Sequence, residues 1–464
     1  MKLPNGPQTP LWLETLQFVL RPIEYLEARQ KRYGDAFTIG SNTDSPVVYL
    51  SHPQAIEEIF TADRNLFDSG RGNKPLAQPL LGEYSLALLD GEPHQRQRRL
   101  LIPPFHGQRM KAYSQLISDI TAQAIRQLPI GKAFLVRPLI EEISLRAILQ
   151  AVFGLHQGDR YDLLRQLLIS FLESIGSPLT ASMLFFPFLR LNLGAVSPWG
   201  KFVQLRQQID RLLYSEIQLR RQLIEEDHLS NTINERNDIL SLLLMARDET
   251  GQPMTDDELR DELITLLIAG HDTTTTAITW ALYWIHYLPE VHSKLLAEID
   301  TVNIDTDRSS IVRLPYLTAV CQETLRIYPV LLAPSNRILK APLQIMEYQF
   351  NPGTVLIPCI YLTHHREDLY PQSKHFIPER FLEKQFSPYE YFPFGGGNRG
   401  CIGMAFAMFE IKLILAEILR TNNLALKDPK SLKPIRRGLT QAPPASLELV
   451  VTSKRESQKA IATL

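Results

Sequence analysis

Cysteine is scarce in this chain: 464 residues hold three, Cys321, Cys359 and Cys401. An odd, widely spaced set excludes a disulfide framework, and the lack of any C-x-x-C pair excludes a zinc ribbon. The pattern points to a reducing cytoplasm with at most one cysteine doing chemistry. Long apolar runs are missing as well. No window approaches the roughly 18–20 residues a spanning helix needs. The start, MKLPNGPQTPLWLETLQFVL, has no uninterrupted apolar core because Glu14 breaks it, so neither a secretory signal nor a transmembrane anchor is expected. Charge excess is absent too: the net charge of −1 argues against nucleic acid or an anionic surface as partner. No internal repeat or low-complexity segment occurs.

What is present reads as an ordinary globular protein, 44% hydrophobic and 21% charged. Residues 1–10 form an extended Pro- and Gly-rich leader. A helix is expected at Pro22–Tyr33, then a hairpin from AFTIG and PVVYL, then a helix from His52 with Ser51 as N-cap. Residues 69–91, punctuated by Gly70, Gly72, Pro75, Pro79 and Gly82, read as a loop. Helical periodicity dominates from 91 to about 300, with polar breaks at 225–238 and 301–313. Beyond 330 the texture changes. Leu343–Phe350 and Thr354–Tyr361 read as strands around Asn351-Pro-Gly, and 366–393 as irregular. A helix over 402–420 and strands near 424–427 and 445–451 close the chain. The expected fold is mainly α with small β-sheets drawn from both ends. That interleaving argues for a single domain over 11–454, with 455–464 as a tail.

One helix stands out. Thr255 and Glu258 form a capping box with acid in the first turn, and helical texture continues to Leu288, stopped by Pro289. An element of roughly 50 Å must cross the core. Its middle, Ala269-Gly-His-Asp-Thr-Thr-Thr-Thr276, is unsuited to a buried helix: Gly270 costs about 1 kcal/mol against alanine, and Asp272 needs a partner, water or a reacting group. The residues allow a kink with threonine hydroxyls bonded back to carbonyls. They equally allow a groove in which Asp272 and Thr273 relay protons to a ligand. Elsewhere, Glu323 and Arg326 lie at i,i+3, and Arg380 can complete a buried Glu–Arg–Arg cluster that locks a loop. His94 and Arg98 share a helix face at i,i+4 and are placed to meet buried carboxylates, while Arg96 and Arg99 form a small basic surface.

PFGGGNRGCIG at 393–403 allows two readings. Gly395, Gly397 and Gly400 fit G-x-G-x-x-G, but a dinucleotide turn needs a buried strand before it, where Pro393 and an aromatic-polar stretch stand instead. The alternative is a tight loop presenting one thiolate, Cys401, at a helix start, with Arg399 facing an anionic group.

Phe394-Gly-Gly-Gly397-Asn-Arg399-Gly-Cys401-Ile-Gly403 resembles the F-x-x-G-x-R-x-C-x-G signature of the cytochrome P450 superfamily. Ala269–Thr274, Glu323-Thr-Leu-Arg326 and Pro378-Glu-Arg-Phe381 resemble its other motifs, in its order, over about 20–452. The resemblance implies a long central helix lying over haem b, with Cys401 as the axial thiolate and Asp272 and Thr273 managing proton delivery to O2. It implies that His94, Arg98, Arg337 and Arg399 bind the haem propionates and that Phe394 packs beside the thiolate. Gly397 and Gly403 give the loop room, and Glu323, Arg326 and Arg380 are structural. It further implies a monomeric monooxygenase taking a hydrophobic small molecule. Electrons would come from a separate ferredoxin and ferredoxin reductase, docking over Arg96, Arg99 and Lys111. The family's recognition regions correspond to Leu80–Leu89, Ser170–Leu193, Ile264–Thr273, Val330–Ser335 and Gly438–Thr440, largely apolar, with no arginine or lysine evident to hold a carboxylate. A fatty acid or similar long-chain lipid is the expected substrate, a sesquiterpene-like hydrocarbon the second choice. A haem protein that binds or senses ligands without turnover is the alternative of another class. Met183–Leu189 is read as channel lining, membrane contact or helix core.

Overall fold

A computed structural model describes residues 3–105, 109–155, 157–227, 238–302 and 308–455. The polar break at 225–238 and the tail 455–464 fall largely outside those ranges, whereas 301–313 lies outside them only at 303–307, and Arg308–Arg313 is a short 3-10 helix. The helix Asp256–Tyr287 runs through the middle of the molecule, and its start is the one the sequence implies. Thr255 accepts from the Glu258 amide, and the Glu258 carboxylate accepts from the Thr255 amide. Leu259, Leu263, Leu266 and Leu267 in its first half and Ile278, Trp280 and Ile285 in its second half are all buried. This helix packs against the helices Val136–Phe153, Pro198–Asp227, Pro315–Ile327 and Met404–Thr421. Among the described residues, no helix is long and apolar enough to cross a membrane.

The sheets are small and draw on distant segments, as expected. One has five strands in the order Ala36–Ile39, Val47–Leu50, Val355–Pro358, Arg337–Leu339 and Phe67–Asp68. A second holds Ala133–Leu135, Glu448–Lys454 and Asn422–Leu426. Two free hairpins, Leu343–Ile345 with Tyr348–Phe350 and Ile435–Arg437 with Thr440–Ala442, complete the β structure. The leader lies against the first sheet, where the Thr38 amide and hydroxyl donate to the carbonyls of Asn5 and Pro4.

Several local readings are corrected. Residues 69–81 are a helix, Ser69–Leu81, despite Pro75 and Pro79 inside it. Its opening amides, Gly70 and Arg71, donate to the Asp90 carboxylate at 2.8 and 2.9 Å. A distant acid thus supplies the cap that Asp68, at the N-cap position, does not make. The segment that follows hangs from the central helix: Tyr84 and Leu86 amides donate to Asp261 and Glu262. The N-cap of Pro53–Thr61 is His52, whose ring accepts from the Gln54 amide; Ser51 instead bonds back to Asp35. Leu343–Phe350 is a hairpin and not one strand, with Met346 at positive φ in its turn. The strand expected at Thr354–Tyr361 stops at Pro358, and Ile360–His364 is a short helix.

Candidate functional site

The cysteine loop is closed by its own backbone. The Cys401 amide donates to Phe394 O at 2.9 Å, the Gly395 amide to Phe392 O, and the Gly400 amide to Gly397 O. Gly395 and Gly397 take φ of 68° and 62°, the left-handed region that side chains avoid. A Cβ on Gly397 would also stand 2.7 Å from Phe60 O. Gly396, which the motif leaves unspecified, sits tightest, its added Cβ meeting the Phe60 ring at 2.3 Å. Gly397→Ala should therefore destabilise the fold by about 1–2 kcal/mol from the backbone alone. An unchanged urea midpoint would show that the loop can relax away from Phe60.

The three thiols differ. Cys321 and Cys359 are buried, and burial pushes both up to about 12. Cys401 is solvent-accessible, yet enough protein surrounds it that burial still raises its pKa. Both statements hold for a side chain opening onto an internal cavity. The Gly403 amide and the Arg98 charge lower that pKa without overcoming the burial. The helix itself starts only at Met404. The helix start thus acts on the thiol through the Gly403 amide at its N-cap, in the direction expected, and burial outweighs it. Among the described residues no three His, Cys, Asp or Glu side chains converge to hold a metal, so Cys401 stands alone.

Around the loop, positive charge exceeds negative. His94, Arg98, Arg337 and Arg399 converge, and the electrostatics of the group betray their crowding. Burial, then Arg399 and Arg98, lowers His94 to about 3. Burial, then Arg399, lowers Arg337 to about 9. Arg98 and Arg399 are likewise lowered, burial being the largest cause. Asp90 is the counter-charge, paired with Arg399, and Arg98 donates to Gly400 O at 2.7 Å. Three guanidiniums and an imidazole outnumber the carboxylates that act on them, Asp90 and Asp68, and form a cationic cradle suited to an anionic cofactor. A planar dianionic cofactor with one open axial position fits this donor set.

In the central helix, Thr273 is half-buried and its hydroxyl donates to Ala269 O at 2.6 Å. Asp272 is held from outside its helix. Arg137 pairs with Oδ1, the Thr440 hydroxyl donates to Oδ2 at 3.0 Å, and Arg437 Nε lies 3.6 Å from Oδ1. None of these partners was evident in the sequence, since they lie 135 to 168 residues away. His271, also unread, is buried with Nδ1 unpartnered among the described residues.

Glu323, Arg326 and Arg380 meet as anticipated. Arg326 donates to both Glu323 oxygens at 2.6 and 2.8 Å, and Arg380 to Oε1 at 3.2 Å. Arg326 also takes the carbonyls of His364, Ser373 and His375, while the Ile377 amide donates to Glu323. The cluster thus pins an irregular stretch that leads to the cysteine loop. The basic surface is corrected: Arg96 is consumed by Asp248 and Glu258, bracing the start of the central helix. Arg99 faces solvent beside Glu249, and the Lys111 side chain lies outside the described residues. Met183 and Leu184 are helix core, whereas Phe188 and Leu189 are exposed.

The family model for Cytochrome P450 matches residues 4–449. Cytochrome P450 135B1 of Mycobacterium tuberculosis is 34% identical over 456 residues, covering 98% of this chain and 93% of its own length. Cytochrome P450 138 of Mycobacterium bovis is 32% identical over 444 residues, covering 96% and 95%. Among solved structures, retinoic acid-bound cyanobacterial CYP120A1 superposes with a TM-score of 0.82 at 24% identity, covering 98% of this chain and all of its own. The family's cofactor is haem b, the group that a lone accessible thiol inside a cationic rim suits. The chain therefore belongs to the cytochrome P450 family of haem-thiolate monooxygenases.

Proposed function

We propose that this P450 hydroxylates a long-chain fatty acid or related lipid, in the cytoplasm and as a monomer, with electrons from a separate ferredoxin and ferredoxin reductase. Haem, when bound, supplies activation of O2 for insertion of one oxygen atom. The protein's part is to hold the cofactor, position the substrate and manage protons. Cys401 would ligate the haem iron, with Phe394 beside it. Arg98, Arg337 and Arg399 would hold the propionates through charge, and His94, uncharged near neutrality, would do so through its ring N–H.

The observation that carries the reaction is the acid–alcohol pair in the middle of the unbroken central helix. Asp272 is partly exposed yet tethered to Arg137 and Thr440, and the Thr273 hydroxyl beside it is bonded, among the described residues, within its own helix. Such a carboxylate can exchange partners without unfolding anything, which a proton relay requires. Asp272→Asn should lower turnover about a hundredfold or more. Thr273→Ala should leave NADPH oxidation running while product per electron falls several-fold. Unchanged coupling in Thr273→Ala would remove the relay role.

The substrate reading is supported by the apolar character of the segments near the site, including buried Leu80, Leu86, Leu88 and Leu332. Spin-state titration with palmitate, hexadecanol, a sesquiterpene hydrocarbon and retinoic acid tests it. A response to the terpene alone would replace the fatty-acid reading with a terpenoid one.

A further inference from the structure

Arg436 and Arg437 are neighbours on the strand Ile435–Arg437, so their side chains leave the strand on opposite faces. Arg437 finds acids, with Glu141 at 3.3 Å and Asp272 at 3.6 Å. Arg436 finds none among the described residues. Its Nε donates to Gly438 O at 3.0 Å and its Nη1 to Val19 O at 3.2 Å. Its guanidinium lies 4.2 Å from the Phe185 ring centre and 5.7 Å from that of Phe18. Nη2 takes no hydrogen-bond acceptor among the described residues. The nearby titratable group is the Tyr49 phenol, itself buried and neutral at ordinary pH. Burial lowers Arg436 to about 10, which still leaves it charged at neutral pH.

A guanidinium set among phenyl rings with no counter-ion is an unusual use of arginine. Cation–π attraction and two carbonyls recover part of the desolvation. The planar fork is left able to take two oxygens of one anion. Its surroundings say which anion. The same hairpin reaches the polar break of the central helix, where Thr440 donates to Asp272. The walls beside Arg436 are the helices Leu11–Leu20 and Pro178–Phe185. At the end of the first and just past the second, the chain exposes Leu20 (69%), Phe188 (75%) and Leu191 (64%). A lone cation in an apolar rim, at one end of a hairpin whose other residues touch the reaction centre, is complementary to an amphiphile with one anionic head.

We propose that Arg436 binds the carboxylate of a long-chain fatty acid at the mouth formed by this hairpin and the two helices. The acyl chain then runs from the Arg436 face of the hairpin, past its turn, into the molecule, so oxidation falls away from the carboxyl end. Arg436 lies just outside the recognition segment Gly438–Thr440, and the proposal rests on the fatty-acid reading above.

The test uses full-length, haem-loaded protein and calorimetric titration with palmitate and with hexadecanol, which share a chain but not a charge. Arg436→Gln should raise the palmitate Kd about tenfold or more and change the hexadecanol Kd less than twofold. Arg436→Lys should recover part of the difference. The reduced carbon-monoxide spectrum confirms that each variant is folded. Equal weakening of both ligands would make Arg436 structural, and no change in either would place the carboxylate elsewhere; both outcomes overturn the site. If wild type binds both ligands equally and hydroxylates them, the lipid reading stands and the carboxylate site falls. If wild type binds neither, the lipid reading itself fails, and the site with it. Loss of binding to phosphatidylglycerol vesicles, with both Kd values unchanged, would make Arg436 a surface anchor and equally overturn the proposal.

Discussion

Cys401→Ser is expected to remove the red-shifted band of the reduced carbon-monoxide complex and to abolish hydroxylation. Changes that merely reorient a metal ligand cost about 10–100-fold, and Cys401 is the single ligand the protein offers, so the loss should be larger. The fold should survive. Cys401 is accessible and packs no core, and the hydrogen bond that places it in the loop runs from its backbone amide to Phe394 O. Haem content is therefore expected to fall more than stability does. The thiolate's dependence on the metal sharpens the expectation: burial raises this thiol despite Arg98 and the Gly403 amide. In haem-free protein, alkylation of Cys401 should accordingly be slow at neutral pH and accelerate above it. A variant retaining the thiolate spectrum would show that another group ligates the iron.

Arg326→Leu should be the most destabilising single change, by about 3–5 kcal/mol. Glu323 is fully buried, and without Arg326 it keeps only Arg380 and the Ile377 amide. Three carbonyls, of His364, Ser373 and His375, lose their donor at the same time. Those carbonyls anchor the stretch that carries the chain to Phe394 and Cys401, so the site should loosen along with the fold. The measurable results are a lower denaturation midpoint and conversion of the carbon-monoxide complex to its inactive, blue-shifted form. Removing Glu323 together with Arg326 should cost less than the sum of the single changes, because each single variant strands the other's charge. A cost below about 1 kcal/mol for Arg326→Leu would mean that solvent reaches the cluster and that the carbonyls are satisfied without it.

The features legible in the sequence are those whose physics is local. A capping box joins residues three apart, a proline ends a helix one residue on, and the Glu323–Arg326 pair spans a single turn. The glycines of 395–397 fold back within their own loop. Each leaves a short, fixed spacing, and each is found where the spacing placed it. The helix Ser69–Leu81 was illegible for the complementary reason. Its glycines and prolines state a loop, and what overrules them is the Asp90 carboxylate arriving at its first amides from 20 residues away.

The same division runs through the site. From sequence alone came the family resemblance, the lone chemical cysteine, the polar break in the central helix and the set of cations around the loop. Only the tertiary structure decided what those groups touch. It brought Arg137 and Thr440 to Asp272 and paired the half-exposed Arg96 with Asp248 and Glu258. It gave two adjacent arginines opposite fates, one paired with acids and one left to phenyl rings. Side-chain pairing across such separations depends on how helices and strands pack, and packing leaves no periodicity in the chain for a reader to find.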